Sequence, residues 1–318
     1  MSTDLTVCVK SVRAEAVGVN SYELVAVDGG ELPLFSPGAH IQLQLGNGMS
    51  RHYSLCNDAI ERHRYKIAVG LSANSRGGST YVHEQLRQGD RLTVSPPRNH
   101  FPLIEDGEHY EFIAGGIGIT PILPMILWCE AKGKSWRLHY LAKSRAGAAF
   151  LDVLEQLPPR GQHLHFRDEH GGVRLDINAV VQAIPPAAHL YCCGPAGLMT
   201  QVRDTAAGRP SGLVHFEWFE AAVHEESASA GAFTVLARRS GLSLEVPADK
   251  SILETLEEAG LLPPYSCREG ICNSCETRVL GGIPEHRDQV LSDAEKAANQ
   301  TMLICVSRSK TPVLELDI

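Results

Sequence analysis

A chain of 318 residues and 34.5 kDa is too long for one compact core, and at roughly 100 to 200 residues per domain it should fold as two or three. Hydrophobic residues make up 43% and charged residues 21%, which argues against a disordered, fibrous or membrane-embedded chain. A formal charge of −8 argues against a nucleic-acid partner, and the start MSTDLTVCVK has no basic stretch ahead of an apolar one, so no secretory signal is expected and the cytoplasm is the expected compartment. In that reducing setting the nine cysteines call for metal or catalysis rather than disulfides.

From residue 5 to 103 short alternating runs (VCVKSV, SYELVAV, HIQLQL, YKIAVGL, RLTVSPP) are separated by Gly, Pro, Asn and Asp, the signature of an antiparallel barrel or sandwich. Residues 112–129 hold eighteen uncharged positions, but Gly115, Gly116, Gly118, Pro121 and Pro124 fit a buried strand, a glycine turn and a helix start better than a membrane span. From 108 to 222 strand and helix alternate: YEFIA, then TPILPMILWCEAKG, WRLHYLA, a helix around AAFLDVLEQL, and the later strand HLYCCG. That order predicts a doubly wound α/β domain. VHEESASAGA at 223–232 is small and polar, the composition of a linker. The strands FTVLARR and LSLEVP follow, and then Ser251 and Glu254 form a capping box for the helix ILETLEEAG, which Gly260 closes; the chain ends in the strand VLELDI. The expected boundaries are 1–105, 106–222, a linker at 223–232, and 233–318.

Cys267, Cys272 and Cys275 are spaced C-x4-C-x2-C, and twenty-nine residues separate the third from Cys305. This is the plant-type 2Fe-2S spacing, with Gly270 placed to let backbone approach the sulfurs. Structural zinc usually draws on two C-x2-C pairs, and only one such pair is present here. Cys8, Cys56, Cys129 and Cys192 are expected as small buried hydrophobes.

Two stretches suit phosphate. The GGIGITP run at 115–121 follows a strand and opens a helix, where a tight turn and the helix N-terminus favour a pyrophosphate, and Cys193-Gly194-Pro195 ends another strand, where doubly wound folds bind ligands. Pro121 stands where the usual dinucleotide fingerprint has its third glycine, and a plain structural turn is the alternative. In the first domain Arg51-His52-Tyr53-Ser54 sits on a strand near the NSRGGST run at 74–80. Arg51 could clamp a phosphate that Gly77, Gly78 and Ser79 also meet; the alternatives are a solvated arginine and an ordinary turn.

Taken together, RHYSLCN at 51–57, SRGGS at 75–79, SPPRNHFPL at 95–103, GGIGITP at 115–121, CGP at 193–195, HFEWF at 215–219, YSCREGICNSCETRVLGG at 265–282 and HRD at 286–288 resemble the phthalate dioxygenase reductase family over essentially the whole chain. The resemblance implies an FMN-binding β-barrel, an NAD-binding α/β domain and a β-grasp ferredoxin domain, in that order. It places Arg51 on the FMN phosphate with Gly77, Gly78 and Ser79, Tyr53 on the flavin ring and Ser54 at its N5 edge. Gly116, Gly118, Thr120, Pro121, Gly194 and Pro195 would line the nicotinamide nucleotide site, Cys193 would lie near the nicotinamide ring, and Phe219 would guard the flavin–nicotinamide contact. The iron ligands would be Cys267, Cys272, Cys275 and Cys305.

Two departures stand out. Asn273 occupies a position where relatives often have glycine. Lys143-Ser144-Arg145 follows the strand WRLHYLA, and Ser144 with Arg145 could accept the 2′-phosphate of NADPH, although the family preference is NADH. The expected function is an NADH-dependent reductase component, a monomer, that serves a Rieske oxygenase without nucleic acid or membrane as partner. A flavin would convert a two-electron hydride donor into single electrons for the cluster. The competing expectations are a reductase serving a non-Rieske monooxygenase and a non-enzymatic zinc-binding scaffold.

Overall fold

The structure is a computed structural model, and it describes residues 4–72, 77–219, 231–265 and 267–318. The chain divides into two compact units, Met1–Phe219 and Glu220–Ile318. The expected linker at 223–232 lies outside the described residues except for its last two.

The first unit opens with β1 (Leu5–Ala16), β2 (Val19–Ala26), β3 (His40–Gln44), β4 (Ser50–Ser54), β5 (Tyr65–Gly70), α1 (Gly78–Gln85) and β6 (Arg91–Val94). The strands form one antiparallel sheet in the order β4-β3-β6-β1-β2-β5, and a bridge between Leu55 and Ile67 joins its two ends. Closure removes the exposed edges that an open sheet would present. Alternate residues point inward: Val7 and Val9, Tyr22 and Leu24, Ile41 and Leu43, Tyr65, Ile67 and Val69, Leu92 and Val94 fill the barrel. Helix α1, which begins in the Gly-Gly-Ser run whose alternative reading was an ordinary turn, adds Val82 to that core, and the Tyr22 hydroxyl donates to the Val82 carbonyl at 3.0 Å. Burial of this one apolar face holds a helix whose β-branched and aromatic residues give it little intrinsic propensity.

The same unit continues through β7 (His109–Gly115), α2 (Ile119–Lys132), β8 (Ser135–Ala142), α3 (Leu151–Leu154), β9 (Gln162–Phe166), α4 (Ile177–Gln182), β10 (His189–Cys193), α5 (Ala196–Thr205) and β11 (Val214–Glu217). These five strands are all parallel, in the order β11-β10-β7-β8-β9. The chain moves outward from β7 through β8 to β9, then returns to the other side of β7 with β10. The switch point therefore lies between the carboxyl ends of β7 and β10, where such folds bind ligands. The uncharged segment at 112–129 is most of β7, a 3-10 turn at Gly116–Gly118 and most of α2, whose Ile119, Ile122, Leu123, Met125, Ile126 and Cys129 are buried. Among the described residues no helix is long and apolar enough to cross a membrane. Cys56, Cys129 and Cys192 are buried as expected, while Cys8 is half-buried. The helix expected around AAFLDVLEQL shrinks to α3, because Phe150 is fully buried in the left-handed conformation (φ 61°), and packing of its ring overrides local propensity.

The second unit holds β12 (Phe233–Ala237), β13 (Leu242–Val246), α6 (Ile252–Glu258), β14 (Glu276–Gly281), β15 (Pro284–Glu285), α7 (Asp293–Ala298), β16 (Thr301–Leu303), β17 (Arg308–Ser309) and β18 (Val313–Leu316). Its main sheet runs β13-β12-β18-β14-β16, with β12 and β18 parallel and their outer neighbours antiparallel, and it grasps α6 in the β-grasp manner. The capping box is present in both directions: the Ser251 hydroxyl accepts from the Glu254 amide at 3.1 Å, and the Glu254 carboxylate accepts from the Ser251 amide at 2.8 Å. Gly260 closes the helix at φ 80°.

Candidate redox site

In the first unit, three chain segments meet at the switch point. Ser54 ends β4, Cys193 ends β10 and Glu217 ends β11. The Ser54 hydroxyl donates to Glu217 Oε2 at 3.2 Å, across 163 positions of sequence. Burial pushes the Glu217 carboxyl up to about 8, only partly opposed by the Ser54 bond, so at neutral pH this carboxyl holds its proton. Burial also pushes the fully buried Cys193 thiol well above its ordinary range, with the neighbouring Glu217 adding to the shift. Cys193 is therefore a neutral thiol and not a thiolate nucleophile. Phe219, two residues beyond Glu217, packs half-buried against the core of the α/β layer. No role attached to Glu217 on sequence, although a lone acid in the apolar run VHFEWF is itself a signal.

The glycines of the switch point serve backbone packing first. A Cβ on Gly118 would collide with the carbonyl of Cys193, and one on Gly115 would press on the Pro195 ring and Leu198. Gly194 lies against the Gly115 backbone, while Gly116 takes φ +54° in open space. Thr120 and Pro121 are buried in the first turn of α2, with the Thr120 hydroxyl donating to the Ile117 carbonyl at 2.9 Å. At the end of β8, Ser144 Oγ accepts from the Gly147 amide at 3.2 Å, and Arg145 Nε donates to Glu169 Oε1 at 3.0 Å.

On the barrel, Arg51 runs across the start of α1, so closely that a Cβ on Gly78 would collide with its side chain. Its Nη1 donates to the Ser50 carbonyl at 2.8 Å. Gly77 caps α1 at φ 88°, a conformation glycine adopts without strain, and Ser79 Oγ accepts from the Ser72 amide at 3.3 Å. Arg51, Gly77, Gly78 and Ser79 are thus brought together, while Ser75 and Arg76 of the same motif fall outside the described residues. Tyr53 packs half-buried on the barrel core, which raises its phenol above the ordinary range. A guanidinium set against Gly78, with the open backbone of Gly77 next in the chain, suits an anion such as a flavin phosphate.

In the second unit the four cysteines of the motif lie at one place. Cys267 interacts electrostatically with Cys272 and Cys305, and Cys305 with Cys275, so the thiols are near neighbours. Backbone amides turn toward them: Glu269 N–H reaches Cys267 Sγ at 3.3 Å, and Cys267 N–H reaches Cys272 Sγ at 3.4 Å. Among the described residues, no three His, Cys, Asp or Glu side chains close round a single ion. Cys267 neighbours both Cys272 and Cys305, and Cys305 also neighbours Cys275, so the four sulfurs lie in one patch, a donor set that suits a 2Fe-2S cluster. Gly270 takes φ 68° and packs on the Asp288 backbone and Val306. Asp288, from the HRD motif, is buried and accepts from the Leu291 amide at 2.8 Å, which holds the strap over the cysteine loop. Asn273 sits at φ 58°, so the conformation that glycine favours is kept, and its Nδ2 donates to Glu276 at 2.9 Å.

Comparison with known proteins agrees with this geometry. Residues 235–310 match the 2Fe-2S iron-sulfur cluster binding domain. Tetrachlorobenzoquinone reductase of Sphingobium chlorophenolicum is 46% identical, covering 99% of this chain and 98% of that protein. Phthalate dioxygenase reductase of Burkholderia cepacia is 43% identical over 94% of this chain and 92% of its own length. A solved phthalate dioxygenase reductase, described as a modular structure for electron transfer from pyridine nucleotides to a 2Fe-2S cluster, is 41% identical. It covers 99% of this chain and 98% of its own, with a TM-score of 0.73. The fold and site therefore define a flavin and iron–sulfur oxidoreductase that uses a pyridine nucleotide. The chain belongs to the phthalate dioxygenase reductase family.

Proposed function

We propose that this chain is the NADH-dependent reductase component of a Rieske-type oxygenase or demethylase, with FMN on the barrel and a 2Fe-2S cluster on Cys267, Cys272, Cys275 and Cys305. The observation that carries the reading is the convergence of Ser54, Cys193 and Glu217 at the switch point, one strand end from the barrel and two from the parallel sheet. When bound, the flavin supplies two-electron acceptance and one-electron release, which neither a nicotinamide nor an iron–sulfur cluster combines. Arg51 with Gly77, Gly78 and Ser79 would hold the phosphate. Tyr53 would cover the ring, Ser54 would orient its reactive edge, and Gly116, Gly194 and Pro195 would border the nucleotide. The neutral Cys193 and Phe219 would exclude water where nicotinamide and flavin meet. Glu217 keeps its proton while its Oε2 accepts from the Ser54 hydroxyl, which spares this site a desolvated negative charge. We read the chain as three modules, 1–105, 106–222 and 233–318, acting as a monomer in the cytoplasm.

The test is direct. Purified protein should release FMN, contain two irons and two labile sulfides per chain, and reduce a Rieske oxygenase with NADH. FAD, or zinc in place of iron, would overturn the assignment. One relative is named for the reduction of a quinone, which supports a quinone as an alternative electron acceptor. NADH-driven reduction of a chlorinated benzoquinone, faster than that of any Rieske oxygenase offered, would favour that second reading.

A further inference from the structure

At the carboxyl end of β8, beside the strand that carries the glycine turn, Ser144 and Arg145 present the residue types that accept the 2′-phosphate of NADPH. The structure commits both elsewhere. The Ser144 hydroxyl caps the turn that follows, accepting from the Gly147 amide at 3.2 Å. The Arg145 guanidinium lies over the Phe166 ring, 4.6 Å from its centroid, and its Nε donates to Glu169 Oε1 at 3.0 Å. Backbone bonds fix this arrangement: Arg167 N–H donates to the Ala142 carbonyl and Asp168 N–H to the Lys143 carbonyl, each at 3.1 Å, and the Glu169 N–H donates to the Phe166 carbonyl at 3.1 Å. The turn after β9 thus delivers a carboxylate to the Arg145 guanidinium, with Asp168 beside it.

We infer that Glu169 is a specificity-determining residue: by pairing with Arg145 it cancels the charge a 2′-phosphate would need and sets a second negative charge in its place, so that the dinucleotide with a free 2′-hydroxyl is preferred. The inference rests on the NADH reading above. A dianion arriving beside Glu169 meets repulsion, and one that displaces it must first break an existing ion pair, whereas a ribose hydroxyl meets neither obstacle.

The full-length protein with Glu169→Gln is the test. Two readouts apply: binding of 2′,5′-ADP and of 5′-AMP by titration calorimetry, and the NADPH-to-NADH ratio of kcat/KM. Loss of one exposed charge pair is worth roughly two- to five-fold. E169Q should therefore bind 2′,5′-ADP about two- to five-fold more tightly, leave 5′-AMP affinity within error of wild type, and move the kcat/KM ratio toward NADPH by a similar factor. Adding Arg145→Ala to E169Q should abolish the gain. A wild-type protein that prefers NADPH would overturn the NADH reading and this inference together. A wild-type protein that prefers NADH, with 2′,5′-ADP affinity unchanged in E169Q, would overturn the inference alone.

Discussion

The two redox regions of this molecule are built in opposite ways. Three of the four cysteines of the cluster region fall within nine residues, 267 to 275, and only Cys305 must be brought in from a distance. The switch-point region joins Ser54, Cys193 and Glu217 from three strand ends, the outer two separated by 163 positions. A metal with directional bonds needs a loop that wraps it, and a loop can be written in consecutive residues. A flat cofactor and a dinucleotide need a crevice between packed elements, so their residues follow the topology rather than the local chain. Damage to the first region should therefore be confined to metal chemistry, and damage to the second should spread into stability and pH dependence.

The largest effect is expected from Cys272→Ser. It should remove iron and visible cluster absorbance and abolish NADH-driven reduction of cytochrome c, while ferricyanide reduction, which draws on the flavin, stays within about two-fold of wild type. Loss of both activities in a folded protein would show that the two regions are not separable.

Arg51→Ala should leave the iron content unchanged and weaken FMN binding by roughly ten- to a hundred-fold, the worth of charge-assisted hydrogen bonds of about 1.5–3 kcal/mol. Equilibrium dialysis of the flavin measures this. A flavin affinity equal to wild type would return Arg51 to an ordinary strand residue.

Gly118→Ala places a methyl group against the Cys193 carbonyl, with backbone on both sides of the clash. Overpacking of this kind costs about 1–3 kcal/mol, so Tm should fall and the NADH KM should rise in the same variant. A fall in neither would mean that the two strand ends part easily.

Glu217 reports on pH. Its folded-state value of about 8 lies above the ordinary carboxyl value of 4.5, so the folded protein holds a proton that the unfolded chain has released across that window. Its contribution to stability is therefore greatest below about 4.5, declines as pH rises toward 8, and is flat above that. Glu217→Gln, which keeps shape without the titration, should melt close to wild type at pH 5 and above it at pH 8.5. Parallel Tm–pH curves for the two proteins would disprove the protonated carboxyl.

The smallest effect concerns Asn273. Because its φ is already positive, Asn273→Gly should change stability by less than about 0.5 kcal/mol, whereas Asn273→Val should cost about 1–2 kcal/mol and lower iron retention.

Much of this was legible in the order of residues. Alternation by twos announced the barrel, the change to strand–helix alternation announced the parallel sheet, and Ser251 with Glu254 announced α6 to the residue, because each signal depends on neighbours within one turn or one strand. The cysteine spacing named its metal centre for the same reason, and Asn273 lies in a backbone conformation that glycine favours. Tertiary structure alone decided the rest. It made the glycines at 115 and 118 packing contacts, turned the Gly-Gly-Ser run into the start of a helix under Arg51, shortened the helix after Phe150, and set a half-buried carboxyl from β11 against a serine from β4. It also tied Arg145 to Glu169, so the guanidinium of a Ser-Arg pair that by itself suits a phosphate already holds a carboxylate. The physical reason is common to all five: burial, steric exclusion and charge pairing depend on which segments the fold brings within a few ångströms, and no local pattern of residues encodes that distance.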